Sequence, residues 1–194
     1  CVLVAATPKG VCFISLGSSE SQLVQRLREE FPHAATERGG ANIDRYAASV
    51  RRFGDDPSLP LDLPLDIIGT AFQQRVWREL RRIPSGSTRS YKQVARKLGD
   101  ESAVRAVAAA CARNPVALAI PCHRVVRSDG QLAGYRWGIE RKRHLLDAER
   151  RAAARGTSER GASDTPSEPT TQVVGRGRKP RRKVRRSTAS EVLA

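Results

Sequence analysis

Two short patterns twenty residues apart do most to constrain how this chain folds: Thr70 with Gln73, and Ser90 with Gln93. Each sets a hydroxyl three residues before a side-chain amide, the spacing at which the two satisfy each other's open backbone N–H groups in a first helical turn. The first opens a helix whose Phe72, Val76, Trp77, Leu80 and Ile83 share one apolar face, with Pro84-Ser85-Gly86 as its stop. The second opens a short helix over 91–98, stopped by Gly99. An alanine-rich helix over 102–112 follows, ended by Asn114 and Pro115. Two short helices about a glycine-containing turn make residues 91–112 a helix-turn-helix candidate.

The flanking segments read less sharply. Residues 1–5 and 11–16 are β-like runs joined by Pro8-Lys9-Gly10, a hairpin, and helical spacing follows over 21–31 and 43–53. This gives a small α/β unit over 1–60, then a connector marked by Asp55, Asp56, Pro57, Pro60 and Pro64. Residues 116–120 read as a buried strand, 134–138 as an irregular loop, and 139–151 as a helix with Leu145 and Leu146 inward. Residues 65–151 thus form a mainly α second unit. Residues 152–194 hold few large apolar side chains and a basic run over 176–186, and are expected to be a disordered basic tail. No internal repeat is found.

Composition narrows the class. Four cysteines, Cys1, Cys12, Cys111 and Cys122, form no C-x-x-C pair, which argues for free thiols in a reducing compartment and a cytoplasmic address. No apolar run nears the roughly 18–20 residues that span a bilayer, and no signal-peptide pattern stands at the start. No membrane partner is expected. A chain that begins at Cys1 and has no methionine reads as a piece of a longer product. The net charge is +15; residues 151–194 hold 11 of the 35 Lys and Arg and 4 of the 20 Asp and Glu, so both parts are basic. An anionic partner such as nucleic acid fits, and so does mere arginine bias.

The chemistry centres on Pro121-Cys122-His123-Arg124. A free thiol is mostly protonated at neutral pH, so a nucleophilic cysteine needs a base or cation beside it; His123 and Arg124 stand there by position. The dipeptide alone equally describes a buried cysteine next to a surface histidine. Zinc needs three or four ligands, and His33, His123 and His144 are scattered, so no metal site is expected.

The wider pattern is more specific. Gly69-Thr70-Ala71-Phe72-Gln73-Gln74, Ile83-Pro84-Ser85-Gly86, Ser90-Tyr91-Lys92-Gln93, Arg105-Ala106-Val107-Ala108, Asn114-Pro115, 120–126 and Gly134-Tyr135-Arg136-Trp137-Gly138 occur in that order. Together they resemble the methylated-DNA–protein-cysteine methyltransferases, nearest the C-terminal half of bifunctional Ada-type proteins. The resemblance covers 65–149, more loosely 1–64. It implies a ribonuclease H-like α/β first subdomain, then a winged helix-turn-helix-like alkyltransferase domain. It implies suicidal single-turnover DNA repair: transfer of an alkyl group from O6-alkylguanine, and on some readings O4-alkylthymine, in double-stranded DNA to Cys122 after base flipping. No cofactor is implied, and a monomer is expected.

By the same resemblance, His123, a water and Glu149 form a relay that makes Cys122 a thiolate, and Asn114 braces the active-site turn. Tyr91 assists base extrusion and donates to the guanine; Arg105 fills the stack; Tyr135 belongs to the loop closing the pocket. The carbonyls of Cys122 and Val125 read the guanine amino group, and the backbone N–H of Arg136 faces O6. Ser90, Ala106, Ala108 and Ala109 fall on the DNA side, the alanines letting the helix backbone approach. Taken singly, Tyr91 reads as core, Arg105 as a solvated charge, Glu149 as a partner for nearby arginines, and the alanines as helix formers.

Two rival functions remain open at this point. One is a lesion-binding protein without transfer, against which the presence of Cys122 argues. The other is a helix-turn-helix regulator, which leaves Pro121-Cys122-His123-Arg124 unexplained. The four-cysteine zinc cluster behind the Ada-type activator role has no counterpart in these residues, and the basic tail departs from the family pattern.

Overall fold

Strand β1 (Val2–Thr7) and strand β2 (Gly10–Leu16) pair antiparallel, with Val2 opposite Leu16, Ala5 opposite Phe13, and a register shift between Ala5 and Ala6. The structure, a computed structural model, describes residues 1–161, with side chains described as far as Arg155. Gly10 turns the hairpin because its backbone lies against the connector: a Cβ there would sit 2.6 Å from the Pro64 carbonyl oxygen. The other edge of β2 is covered by two later segments. Val11 donates to Pro64 O (2.7 Å) and accepts from Asp66 N (2.9 Å), while Ile14 donates to Pro115 O (3.0 Å) and accepts from Ala117 N (2.9 Å). An edge that would otherwise be a row of unpaired groups thereby fastens the first segment to the loop that holds the candidate cysteine.

Helices α1 (Glu20–Glu30) and α2 (Ala41–Asp55) pack on the hairpin; Ser19 caps α1 by accepting from Gln22 N. Both lie within two residues of the spans their periodicity predicts. The two capping boxes are formed as read: Thr70 with Gln73 opens α3 (Ala71–Leu80), and Ser90 with Gln93 opens α4 (Tyr91–Lys97). Helix α5 (Val104–Ala112) begins two residues later than expected. Ser102 turns back on Asp100 through both its N–H (2.9 Å) and its hydroxyl (2.6 Å), so 100–103 is a turn. Helices α4 and α5 pack against each other and against α3, whose Trp77 indole donates to Ala110 O in α5 (2.9 Å). Two-residue strands β3 (Arg89–Ser90) and β4 (Val125–Val126) pair in parallel. Helix α6 (Ile139–Gly161) closes the described chain.

One apolar core runs through both segments: Val11, Ile14, Val50 and Phe53 share it with Val76, Trp77, Leu80, Val107, Ile120 and Trp137. Full burial of each large side chain stabilises by about 1.5–3 kcal/mol. The Trp137 indole reaches Ser15 Oγ in β2 (3.1 Å), crossing 122 positions of sequence.

Two expectations are corrected. Residues 116–120 are buried but are not a strand. Asn114 curls them, its Oδ1 accepting from Val116 N (3.0 Å) and its Nδ2 donating to Ile120 O (2.8 Å), and Leu118 takes a left-handed φ of 68°. Helix α6 runs ten residues past Arg151, with Ala152 buried, so the first part of the expected disordered tail is helical. The rest of that tail lies outside the described residues. Among the described residues no helix is long and apolar enough to cross a membrane.

Candidate active site

Cys122 opens a single 3-10 turn, Cys122–Arg124, and is buried with the two residues that follow it. Its sulfur accepts a hydrogen bond from Asn114 Nδ2 at 3.2 Å, from the same amide that holds Ile120 O. One buried side chain therefore shapes the loop and fixes the thiol at its end. Burial pushes the Cys122 thiol up to about 11; the Asn114 bond and the positive charge of Lys142 pull the other way without cancelling it. At rest the sulfur carries its proton.

Glu149 binds the other two members of the turn. His123 Nε2 lies 2.8 Å from Glu149 Oε1, and Arg124 engages both carboxylate oxygens, Nε at 3.1 and 3.0 Å and Nη2 at 2.8 Å. Arg124 also donates to Ile83 O (2.5 Å), and Gly86 N donates to Glu149 Oε2 (3.3 Å). Burial alone would raise the Glu149 carboxyl, but hydrogen bonds from His123 and Arg124, with the Arg124 charge, hold it at about 2. Burial lowers His123 against the pull of Glu149, so the ring is neutral at physiological pH. An ionised carboxylate only accepts, so Nε2 carries the ring proton and Nδ1 is a lone pair. That Nδ1 is buried and has no protein partner.

An aromatic wall stands over this turn. Tyr135 meets His123 edge-on at 6.4 Å and Trp137 at 5.1 Å, and its buried hydroxyl has no protein partner. Tyr91, the first residue of α4, is half-buried; burial and the nearby Cys111 and Cys122 push its phenol up to about 12, so it keeps its proton. The Arg136 side chain ties the 134–138 loop to Asn114 O (3.0 Å) and to Glu30 of α1 (2.6 Å).

The structure thus brings together Cys122, His123, Asn114, Glu149, Tyr91, Tyr135 and Arg136. Val125 joins them through β4, opposite Arg89 of β3 with Ser90 opposite Val126, and its carbonyl accepts from Lys142 Nζ (2.5 Å). The Cys122 carbonyl accepts from Val125 N. Arg105, Ala106 and Ala109 lie apart, exposed along one side of α5, with Ala108 half-buried. Among the described residues no group of three or more His, Cys, Asp or Glu is placed to hold a metal.

Known proteins resemble this chain in sequence and in fold. Residues 71–151 match the family model described as 6-O-methylguanine DNA methyltransferase, DNA binding domain. The inducible methylated-DNA–protein-cysteine methyltransferase of Bacillus subtilis is 37% identical over 152 residues, covering 78% of this chain and 85% of that protein. The chain belongs to the methylated-DNA–protein-cysteine methyltransferase family. Another member of similar sequence is the bifunctional transcriptional activator/DNA repair enzyme Ada of Escherichia coli, 49% identical over 147 residues, 76% of this chain. The chain spans only 42% of Ada's length. Among solved structures, Mycobacterium tuberculosis OGT in complex with DNA superposes with a TM-score of 0.66 at 33% identity, covering 78% of this chain and 87% of that one.

Two features of this family member were not legible beforehand. Arg124 stood as a candidate for activating the thiol, yet its guanidinium is spent on Glu149 and Ile83. Lys142, on the exposed-looking stretch Arg141-Lys142-Arg143, is fully buried.

Proposed function

We propose that this protein repairs DNA by taking the alkyl group of O6-alkylguanine irreversibly onto Cys122. The observation that carries the reading is the pairing of a pinned thiol with a neutral histidine whose far nitrogen is locked by an ionised glutamate. In the first step the Cys122 proton passes to His123 Nδ1, directly or through a water. The sulfur then attacks the alkyl carbon, a C–S bond forms and the C–O6 bond breaks, leaving its electron pair on the guanine. Tyr91, which keeps its proton well above neutral pH, is the group suited to neutralise the departing base. No cofactor takes part, and transfer should survive exhaustive chelation.

A base within a duplex does not present O6 to a buried sulfur, so the nucleotide must leave the stack. Helices α4 and α5 supply the DNA-facing surface, with Arg105 filling the stack and Ser90, Ala106, Ala108 and Ala109 against the backbone. Tyr135 closes the pocket. The carbonyls of Cys122 and Val125 each already accept one hydrogen bond; the second lone pair of each is what remains to read the guanine amino group, with Arg136 N–H toward O6. The finer architecture, a ribonuclease H-like unit over 1–60 and a winged helix-turn-helix over 65–151, is supported by the β1–β2 hairpin with its helices and by the α4–α5 pair.

The test is intact and peptide mass after mixing the protein with excess O6-methylguanine duplex. One methylene, roughly 14 Da, should appear once, on the peptide holding Cys122. Cys122→Ser should abolish the gain and retain DNA binding. Sustained turnover, or methyl on Cys111, would overturn the reading.

A further inference from the structure

Helix α6 presents two charges, not one, to the active-site turn. Lys142 and Glu149 are seven residues apart, two turns along one face, with buried Leu146 between them. Glu149 takes His123 and Arg124; Lys142 runs beneath the same turn and donates to Val125 O at 2.5 Å. Both side chains are fully buried.

The charges do not balance at rest. Arg124 and Glu149 cancel each other, and His123 is neutral. Among the described residues no carboxylate lies within ion-pair distance of Lys142, whose bonding partner is a carbonyl. A buried ammonium without a counter-charge is costly, and burial indeed lowers the Lys142 amine while nearby Cys122 and Cys111 support it. The groups near it that form anions are Cys122 and, on α5, Cys111; Tyr91 on α4 and Tyr135 stand near Cys122 in turn. The other charges bearing on this cluster are Arg136 and Arg141. Burial holds both phenols and Cys111 above their ordinary ranges, and Cys111 above Cys122. Only Cys122 adds a hydrogen-bond donor, Asn114, aimed at its sulfur.

We propose that Lys142 is the electrostatic partner of Cys122, a buried ammonium that holds the sulfur's negative charge once the thiol has passed its proton to His123. Lys142 touches no reacting atom in this scheme; it is a positioning residue, anchored by the Val125 carbonyl. The inference rests on Cys122 being the nucleophile, and it divides the work of activation. His123 receives the proton, and Lys142 stabilises what the proton leaves behind.

The experiment is a pH titration of thiolate ultraviolet absorbance in the full chain and in Lys142→Met, each read against its Cys122→Ser counterpart. Met fills much the same volume, and an apolar replacement of a buried charge is commonly tolerated. The Cys122 midpoint should rise by about one pH unit or more in Lys142→Met and stay near that of the native chain in Lys142→Arg. Methyl transfer near neutral pH should slow about tenfold in Lys142→Met, with DNA affinity unchanged. An unmoved midpoint, as a purely structural lysine would give, overturns the proposal. If Lys142→Met does not fold, nitrogen NMR of the Lys142 amine in the native chain and in Cys122→Ser decides it. Losing the thiol should lower the Lys142 midpoint, and an unchanged value overturns the pairing. Neither titration uses DNA, so a native chain that fails to accept methyl would overturn the proposed reaction and leave this result standing.

Discussion

At Asn114 a single side chain makes three bonds: to the Val116 N–H, the Ile120 carbonyl and the Cys122 sulfur. Replacing it by alanine strands the buried Val116 N–H, at a cost of about 1–3 kcal/mol, leaves the Ile120 carbonyl with only the Cys122 N–H, and removes the side-chain donor that eases ionisation of the thiol. Asn114→Ala should therefore lower the melting temperature and slow methyl transfer beyond what the unfolded fraction explains, as single-turnover rates on the folded protein will show. Glu149 carries a pH consequence. Its carboxyl sits at about 2 in the folded chain and near its ordinary value in the unfolded one, so its contribution is complete above about pH 5 and is lost as pH falls toward 2. That contribution is about 3 kcal/mol. His123, kept neutral by burial, acts in the same sense, since the unfolded chain takes up its proton first on acidification. Denaturant unfolding in Glu149→Gln should be weaker near neutral pH, by about 3–5 kcal/mol because Arg124 is left unpaired, and flatter between pH 5 and 2. A slope matching that of the native chain would contradict this.

Elements differ in how far local sequence specifies them. The starts of α3 and α4 were legible because a capping box is complete within four residues, and both formed as read. The 116–120 loop was not, because its apolar composition satisfies a strand equally well. What decides is the Asn114 amide bridging its two ends, a bond that exists only once the loop has curled. Helix α6 was cut short at Arg151 for a similar reason: Ala152, Ala153 and Ala154 carry little apolar pattern, yet Ala152 packs inward. Of the site, the Cys122-His123 pair was visible by its chemistry, while Glu149 and Asn114 came only through family resemblance. Lys142 was invisible because a lysine between two arginines on a helix reads as solvated. The meeting of α6 with the 84–87 turn yields its own prediction. Gly86 has φ 75°, and a Cβ there would lie 2.8 Å from that of Ala153. Gly86→Ala should destabilise by about 1–3 kcal/mol in chemical denaturation, through strained backbone and displacement of the helix that carries Glu149.

For the molecule as a whole, charge and chemistry are separable. Eight Lys and Arg lie beyond residue 161, and the residues gathered around Cys122 all precede it. A chain ending at 161 should accept methyl from a short oligonucleotide as the full chain does. Its DNA affinity should depend less steeply on salt, since fewer counterions are released. Equal salt slopes would show that this basic segment stays off DNA. Ending the chain at 151 should instead lower stability, because Ala152 is part of the core.

The order of parts along the chain has a consequence for synthesis. Cys122 and its bracing Asn114 leave the ribosome before Lys142 and Glu149, which ride on α6, the last of the described helices. A nascent or prematurely terminated chain can complete α4 and α5 while its cysteine remains an ordinary thiol. In the proposed single-use reaction, the groups that ready the sulfur for transfer are complete only once that helix has been made and has docked on the turn.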